Sequence, residues 1–499
     1  MSFYVTTPIY YVNAAPHLGH AYTTIAADII ARHHRQRGEE VFFLTGTDEH
    51  GEPVADAAHA QGVEPQQLAD RNSERFRALA PRLGASNDFF IRTTDPQHMA
   101  KVAEILTRVK DNGHVYLGTY EGWYCPKCAD FKAENEVDDG ARCPIHHIQL
   151  TREQEDNYFF ALSSFQQALE RLYEEQPEWV APRSRYNEAL SFIRSGLRDV
   201  PLTRHRLTWG VPVPWDEQHV FYVWFDALLN YVSALSYARE GEDLTGTFWP
   251  ADCHLIAKDI LRFHTIYWPA LLLAAGLELP RRVFVHGYLL MEGEKMSKSL
   301  GNVLDPFAVI DRFGSDALRF YLMRDVSFGQ DGSVSTAAFE QRYESELANE
   351  YGNLVARTVA MIGRYRGGTL SACELDTALA ADFDGLPGRV CELIDRVELS
   401  LALDEIWQRV RRLNRYVEER APWRLAKDPA AGPELDRVLA TLAEGLRLIS
   451  VLLHPYMPES TIKVLEVLGA SEPSLAGESL RPGQIGRVGA LEPLFPKGA

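Results

Sequence analysis

Lysine is scarce in this chain of 499 residues: only 10 of its 51 basic side chains are lysine, and the other 41 are arginine. Positive charge as a whole is short, with 69 acidic residues and a net charge of −18. That balance excludes a broadly basic protein that coats nucleic acid. A polyanionic ligand would need basic residues gathered in one place, because phosphate contacts follow the local field. Long apolar runs are missing too. The longest, IYWPALLLAAGL (266–277), contains Pro269 and falls well short of the roughly 20 residues a membrane helix needs. The opening MSFYVTTPIYYV has no basic leader segment and reads as a strand, so a cytoplasmic location without membrane contact is expected. Cysteines number six: Cys125, Cys128 and Cys143 crowd together, while Cys253, Cys373 and Cys391 are scattered. A disulfide framework would be distributed differently, so metal is the better reading of the cluster.

The chain is too long for one core, and two to four domains are expected. Residues 3–12 are β-rich, and 13–16 punctuate. In HLGHAYTTIAADIIARHHRQRG, Ile25, Ala26, Ile29, Ile30 and His33 then recur at helical spacing as far as Gly38. EVFFLTG reads as a buried strand. Strand, helix and strand in about 45 residues make a βαβ unit, which predicts an α/β fold on a parallel sheet. Ligands of such sheets bind beyond the carboxyl ends of the strands, where HLGH (17–20) and TGTDEHG (45–51) both fall. The pattern breaks over 116–208, resumes at HVFYVWFDALLNYVSAL (219–235) and RRVFVHGYLL (281–290), and turns almost wholly helical from about residue 335.

Two of the ten lysines, Lys295 and Lys298, stand three apart in MEGEKMSKSLGN (291–302), flanked by Gly293 and Gly301 as in a loop that moves. HLGH and KMSKS in this order, on separate halves of a parallel sheet, resemble the class I aminoacyl-tRNA synthetases. The resemblance implies a Rossmann-type catalytic domain and makes His17, His20, Lys295 and Lys298 catalytic. ATP would be bound by those four with Gly19, Ser297 and Asp259, the last at the ribose; a helix N-cap is the other reading of Asp259. The physical need is plain. When a carboxylate attacks an α-phosphate and pyrophosphate leaves, the growing negative charge must be met by preorganised donors. Histidines at a helix start add ring N–H groups to the free backbone amides, and the lysines add mobile positive charge.

TTPIYYVNAAPHLGH, GTDEHG, YVWFDALLNY and KDILRFHTIYWPA narrow the resemblance to the methionyl-tRNA synthetase family, from residue 3 to about 465. It implies that methionine and ATP form methionyl-adenylate, and that methionine then passes to the 2′-OH of the terminal adenosine of tRNA(Met). The implied methionine pocket is Ile9, Tyr11, Asp48, Trp224, Ala227, Leu228, Tyr231 and His264, with Asp48 on the ammonium. A thioether packs well against aromatic edges. Trp224 and Tyr231, seven apart, also suit one face of a core helix. The insertion of about 90 residues is too small for the editing domain of the isoleucyl, valyl and leucyl relatives.

WYCPKCADFKAENEVDDGARCPIHHIQL gives Cys125-x2-Cys128-x14-Cys143-x2-His146, a spacing that fits one closed, structural tetrahedral zinc. His147 is the alternative fourth ligand. Zn2+ and the Mg2+ that accompanies ATP are the expected cofactors. QRVRRLNRYVEERAPWRLAKD (408–428) packs seven basic residues near Trp423, offering the charge and stacking surface single-stranded RNA needs. The resemblance assigns Asn353, Arg357 and Trp423 to the anticodon; packing in a core is the other reading of Trp423. The expected organisation is 1–115 and 209–290 as the catalytic halves and 116–208 as the zinc-binding insertion. Residues 291–345 are the KMSKS loop and linker, and 346–499 an all-α anticodon-binding domain and tail. The final 30 residues have loop composition. No C-terminal dimerising module is read, so a monomer is expected.

Overall fold

The computed structural model describes residues 2–126, 130–132, 137–138, 140–144, 147–205, 207–291, 294–295, 305–470, 473–475 and 478–497. Six strands form the central sheet: β1 (Ser2–Tyr11), β2 (Glu40–Asp48), β3 (Phe89–Arg92), β4 (Val180–Ala181), β5 (Cys253–Ala257) and β6 (Val283–His286). Their order is β3-β2-β1-β5-β6-β4, and every pairing is parallel. Helices cover both faces, so β2 is buried almost throughout instead of alternating. The chain leaves β1 toward β2 and later re-enters the sheet at β5 on β1's other side. That reversal opens a crevice at the carboxyl ends of β1, β2 and β5.

Local sequence explains how β1 serves this crevice. Pro8 has no N–H for the ladder, and the register with β2 slips between Thr6 and Ile9. Ile9 and Tyr11 lie beyond this bulge, where the strand's facing changes, while Thr7 Oγ1 donates to Thr45 Oγ1 at 2.7 Å to hold the two strands. α1 (Leu18–Gln36) follows, buried on nearly every side. The insertion is built on two long antiparallel strands, Val115–Cys125 and Thr151–Phe160. Its chain also supplies β4, at the edge of the main sheet.

The helices Asn353–Arg366, Leu399–Arg420, Gly432–Leu453 and Pro458–Val467 carry the C-terminal half. Their core around Trp407, Leu403 and Leu446 runs without a break into Ile25 and Ile29 of α1. Beyond residue 467 the described chain has no helix, and it straps this junction. The Leu475 N–H donates to the Gln36 carbonyl at 2.9 Å, Val488 N–H donates to Gly368 O at 2.8 Å, and Phe495 is buried beside Gly352. No helix of the described residues is long and apolar enough to cross a membrane.

One buried ion pair fastens the halves. Arg319, fully buried, meets Asp28 of α1 at 2.7 Å and donates to the carbonyls of Leu83 (3.1 Å), Pro455 (2.6 Å) and Tyr456 (2.9 Å). Asp28 also accepts from Arg32 and Ser86, and these cations and hydrogen bonds outweigh its burial and lower its pKa. Removing one partner of such a pair strands the other. Arg319→Met is therefore expected to cost about 3–5 kcal/mol in urea unfolding; a loss below about 1 kcal/mol would contradict this reading.

Candidate active site

His17 stands at the N-cap of α1 with extended backbone. Its Nδ1 accepts the Gly19 N–H at 3.0 Å, and its own backbone N–H donates to His20 Nδ1 at 3.1 Å. Backbone N–H groups only donate, so both Nδ1 atoms are acceptors and each neutral ring carries its proton on Nε2. The rings stack with centroids 3.8 Å apart, and Tyr10 and Phe76 hold His20 edge-on. A Cβ on Gly19 would lie 2.9 Å from His17 Cε1, so a side chain there would displace the ring. The first turn of α1 holds no acidic residue, which leaves its N-terminal field to an outside anion.

The strand leading to KMSKS is tied to this helix. Thr23 Oγ1 lies 2.8 Å from His286 Nε2, at the end of β6. Lys295 lies in the strand Glu294–Lys295, antiparallel to Leu289–Met291. Ser297 and Lys298 lie outside the described residues. Asp259 is exposed on the turn Lys258–Ile260, at the end of β5. Ala257 is the cap of that turn, so the N-cap reading of Asp259 does not hold.

Tyr11, next in β1 to the Tyr10 that meets His20, belongs to a second set of aromatic side chains. Trp224 and Tyr231 sit on two short helices, Val223–Leu228 and Asn230–Ser233, rather than on one face of a continuous helix. Trp224 stacks on Phe263 (3.7 Å, 7°) and meets Tyr11 edge-on at 6.2 Å. Ala227, Leu228, Tyr231 and His264 are buried, and Ile9 is half-buried. His264 Nδ1 faces the Ile260 carbonyl (3.1 Å), which can only accept, so Nδ1 carries the proton and Nε2 takes the Tyr231 hydroxyl's at 2.8 Å.

At the carboxyl end of β2, Asp48 is buried and its Oδ1 has no hydrogen-bond partner. Burial raises its pKa well above the usual range, and the neighbouring carboxylates of Asp226 and Glu49 raise it further. Hydrogen bonds from the His50 backbone N–H and from Tyr11 only partly offset this. The two neighbours are compensated. Glu49 takes both arms of Arg92 at 2.8 Å. Asp226 lies 2.7 Å from His50 Nδ1 and 2.7 Å from His98 Nε2. Burial would raise the Asp226 pKa, but the His50 charge and these hydrogen bonds outweigh it and lower it to about 2. Sequence spacing gave no sign of His98, which comes from a separate helix, or of Phe263. His50 and Asp226 stand inside TGTDEHG and YVWFDALLNY, where only their neighbours drew notice.

At the far end of the insertion Cys125 and Cys143 are both fully buried in one small cluster with Leu150. Cys128 and His146 lie outside the described residues. His147 is exposed with φ 55°. Among the described residues no group of three metal-ligating side chains forms.

In the helical half Asn353 is exposed at the start of its helix. Arg357, one turn on, pairs with Glu418 at 2.7 Å and lies 5.8 Å from the Trp423 ring. Trp423 is half-buried against the core, so it packs there and also keeps an accessible face.

A family model described as tRNA synthetases class I (M) matches residues 3–154 and 139–359. The chain is 47% identical over 489 residues to the methionine–tRNA ligase of Streptomyces coelicolor, covering 95% of this chain and 90% of that protein. It is 46% identical over 503 residues to that of Caldanaerobacter subterraneus subsp. tengcongensis, covering 99% and 79%. Mycobacterium tuberculosis methionyl-tRNA synthetase in complex with methionyl-adenylate matches with a TM-score of 0.95 at 42% identity, covering 99% of this chain and 100% of that one. Its apo form matches with a TM-score of 0.88 at 38%, covering 100% and 98%. The chain belongs to the class I tRNA synthetases, in their methionyl-tRNA synthetase family.

Burial lowers the pKa of His264 and of His286 to about 4, and the backbone carbonyl each meets offsets little of this. A depressed folded pKa contributes stability that is complete above the unfolded value near 6.5 and lost as pH falls toward 4. Both rings are expected to remain neutral, with the proton on Nδ1, in nitrogen NMR spectra from pH 7 to pH 5. An imidazolium signal from either at pH 6 would contradict the assignment.

Proposed function

We propose that this site joins methionine to ATP, giving methionyl-adenylate and pyrophosphate, and then transfers the methionyl group to the 2′-OH of the terminal adenosine of tRNA(Met). One observation carries the reading: a buried carboxylate, Asp48, whose Oδ1 has no hydrogen-bond partner among the described residues, on the strand end paired with Tyr11's in the sheet. An α-amino acid brings the ammonium this carboxylate wants, and a thioether side chain suits Trp224, Tyr11, Ala227, Leu228 and Ile9. Tyr231, its proton held by His264, closes the pocket floor.

In activation a carboxylate oxygen of methionine attacks the α-phosphorus, and the bond to the bridging oxygen of pyrophosphate breaks. His17 and His20 direct Nε2–H donors at the phosphates from the start of α1, where the backbone amides add to them. Gly19 keeps the His17 ring folded back and leaves the backbone open to the adenine. Asp259 takes the ribose hydroxyls, and Lys295, Ser297 and Lys298 close over the phosphates. No enzyme nucleophile is needed. Mg2+ accompanies ATP and offsets phosphate charge.

Zinc fits the insertion in its donor chemistry: Cys125 and Cys143 are two buried thiols in one cluster, and Cys128 and His146 complete a tetrahedral set in the sequence. A zinc ion held by these four residues would tie Cys125 and Cys143 together within the insertion, which steers the acceptor end. Asn353, Arg357 and Trp423 read the anticodon, the arginine exchanging Glu418 for a base edge and the tryptophan stacking.

Methionine-dependent ATP–pyrophosphate exchange, run with all twenty amino acids in the absence of tRNA, tests the reading; exchange with methionine alone is expected. Exchange with a different amino acid would keep the fold and overturn the pocket. Trp423→Ala is expected to raise KM for tRNA at least about fivefold, the stacking of one base being worth about 1–3 kcal/mol. An unchanged KM would return Trp423 to the core. Cys128→Ser is expected to lose one zinc per chain in metal analysis, and an unchanged metal content would remove this set of ligands.

A further inference from the structure

Lys258 is one of only ten lysines in the chain. It opens KDILRFHTIYWPA, where Asp259 and His264 draw notice and the lysine does not. In the fold it follows β5 directly, on the turn Lys258–Ile260, and its Nζ meets Asp331 Oδ2 at 2.6 Å, across 73 positions. The same ammonium lies 4.4 Å from the centre of the Tyr288 ring. Asp331 is occupied on both sides, for its Oδ1 accepts the Tyr288 backbone N–H at 2.8 Å. One carboxylate thus holds a side chain from the end of β5 with one oxygen and the backbone beyond β6 with the other. A second cation, Arg185 of the insertion, acts on it more weakly and is paired with Glu188 at 2.7 Å. Partial burial would raise the Asp331 pKa, but the bonds from Lys258 and Tyr288 and the charges of Lys258 and Arg185 outweigh it and lower it. Asp331 is an anion at neutral pH.

Backbone contacts fix this junction. Gly332 N–H donates to the Tyr288 carbonyl at 3.0 Å, and from there Leu289–Met291 runs parallel with Gly332–Val334. A Cβ on Gly287 would overlap the Gln330 carbonyl carbon and the Asp331 nitrogen, so the two backbones touch where only glycine fits. Leu289–Met291 pairs in turn with Glu294–Lys295, the strand that carries Lys295. On the other side, burial raises the Tyr288 pKa and the charges of Asp259 and Asp331 raise it further, so Asp259 acts on the same ring. Hydrogen bonds therefore run without a gap from the turn of Asp259 to the strand of Lys295.

We propose that the Lys258–Asp331 pair is a positioning device for adenylation: it sets the turn that holds the ribose of ATP against the strand that carries Lys295 to the phosphates. The inference rests on the proposed function. The ribose and the phosphates of one ATP are held by separate stretches of chain, and in-line attack at the α-phosphorus demands that their spacing be right. An error of about 1 Å costs on the order of a hundredfold in rate. Neither Lys258 nor Asp331 needs to touch the nucleotide. The pair acts through Asp259 on one side and through the strand of Lys295 on the other.

First-turnover formation of methionyl-adenylate, at saturating methionine and nucleotide, tests this in the full chain. It is followed with ATP and with 2′,3′-dideoxy-ATP, whose sugar offers Asp259 no hydroxyl. Asp331→Asn keeps the acceptor for the Tyr288 N–H and loses the charge for Lys258. It is expected to slow adenylation at least about tenfold while KM for methionine stays within about twofold. Removing the ribose hydroxyls is expected to slow the wild type at least about tenfold and Asp331→Asn less than about threefold, because the loosened turn no longer presents Asp259. Lys258→Met, which leaves Asp331 on the Tyr288 N–H, covers the case in which Asp331→Asn folds poorly. It is expected to match Asp331→Asn, with the double variant no more than about twofold slower than either. Adenylation by either variant at the wild-type rate would overturn the proposal, as would losses that multiply in the double variant. So would a sensitivity to the ribose hydroxyls as large in the variants as in the wild type, which is what a merely structural pair would leave. If wild-type enzyme formed no adenylate with methionine, the functional reading would fall first and this one with it.

Discussion

Asp226 is the point on which the candidate site turns. Fully buried, it survives as an anion because His50 and His98 each reach one of its oxygens at 2.7 Å. Those two contacts fasten three separate pieces of chain: the loop after β2, the helix Pro96–Asp111 and the helix Val223–Leu228. The loop follows directly on Asp48 and the last helix carries Trp224, so the cluster fixes these two residues relative to one another. Glu49 is satisfied by Arg92, Asp226 by its histidines, and Asp48 is left as the one carboxylate of the three with a buried oxygen lacking a partner. A desolvated carboxylate in that position is costly for the free protein. The cost becomes binding energy once an ammonium arrives.

A second buried charge organises the larger architecture. Arg319 spends its donors on Asp28 and on three carbonyls from two parts of the chain, so α1 is registered against both the α/β half and the turn at Pro455–Tyr456. The hydrophobic core follows the same route, running from α1 into the helices around Trp407. The helix whose first turn holds His17 and His20 is thereby packed along its length against the half that contains Arg357 and Trp423. The terminal strap, bonded to Gln36 and buried near Gly352, spans the same two ends.

The first βαβ unit was legible because its signals are local. An apolar run, a punctuating Pro16, helical spacing and Gly38 give β1, α1 and β2 within a residue or two. HLGH was legible for the same reason: the capping geometry that fixes both rings needs only residues 17–20. The parallel order of β5 against β1 was anticipated only as a fold class, since nothing in either strand names its neighbour. What escaped notice is non-local. His98 reaches Asp226 across 128 positions, Arg319 meets Asp28 across nearly three hundred, and β4 joins the main sheet from inside the insertion. Trp224 and Tyr231 were ambiguous at a spacing of seven; they stand on two short helices, and both are buried.

The central claim is that Asp48 is completed by the substrate's ammonium. Calorimetric titration with methionine and with its desamino analogue, 4-(methylthio)butanoate, in buffers of different ionisation enthalpy from pH 5 to 7 tests it directly. Because Asp48 is held well above the usual carboxylate range in the free protein, methionine is expected to bind with release of a proton, increasingly so toward pH 5. The analogue, which has the thioether but no ammonium, is expected to bind at least a hundredfold more weakly. Equal affinity for the two compounds, with no proton released, would contradict the account.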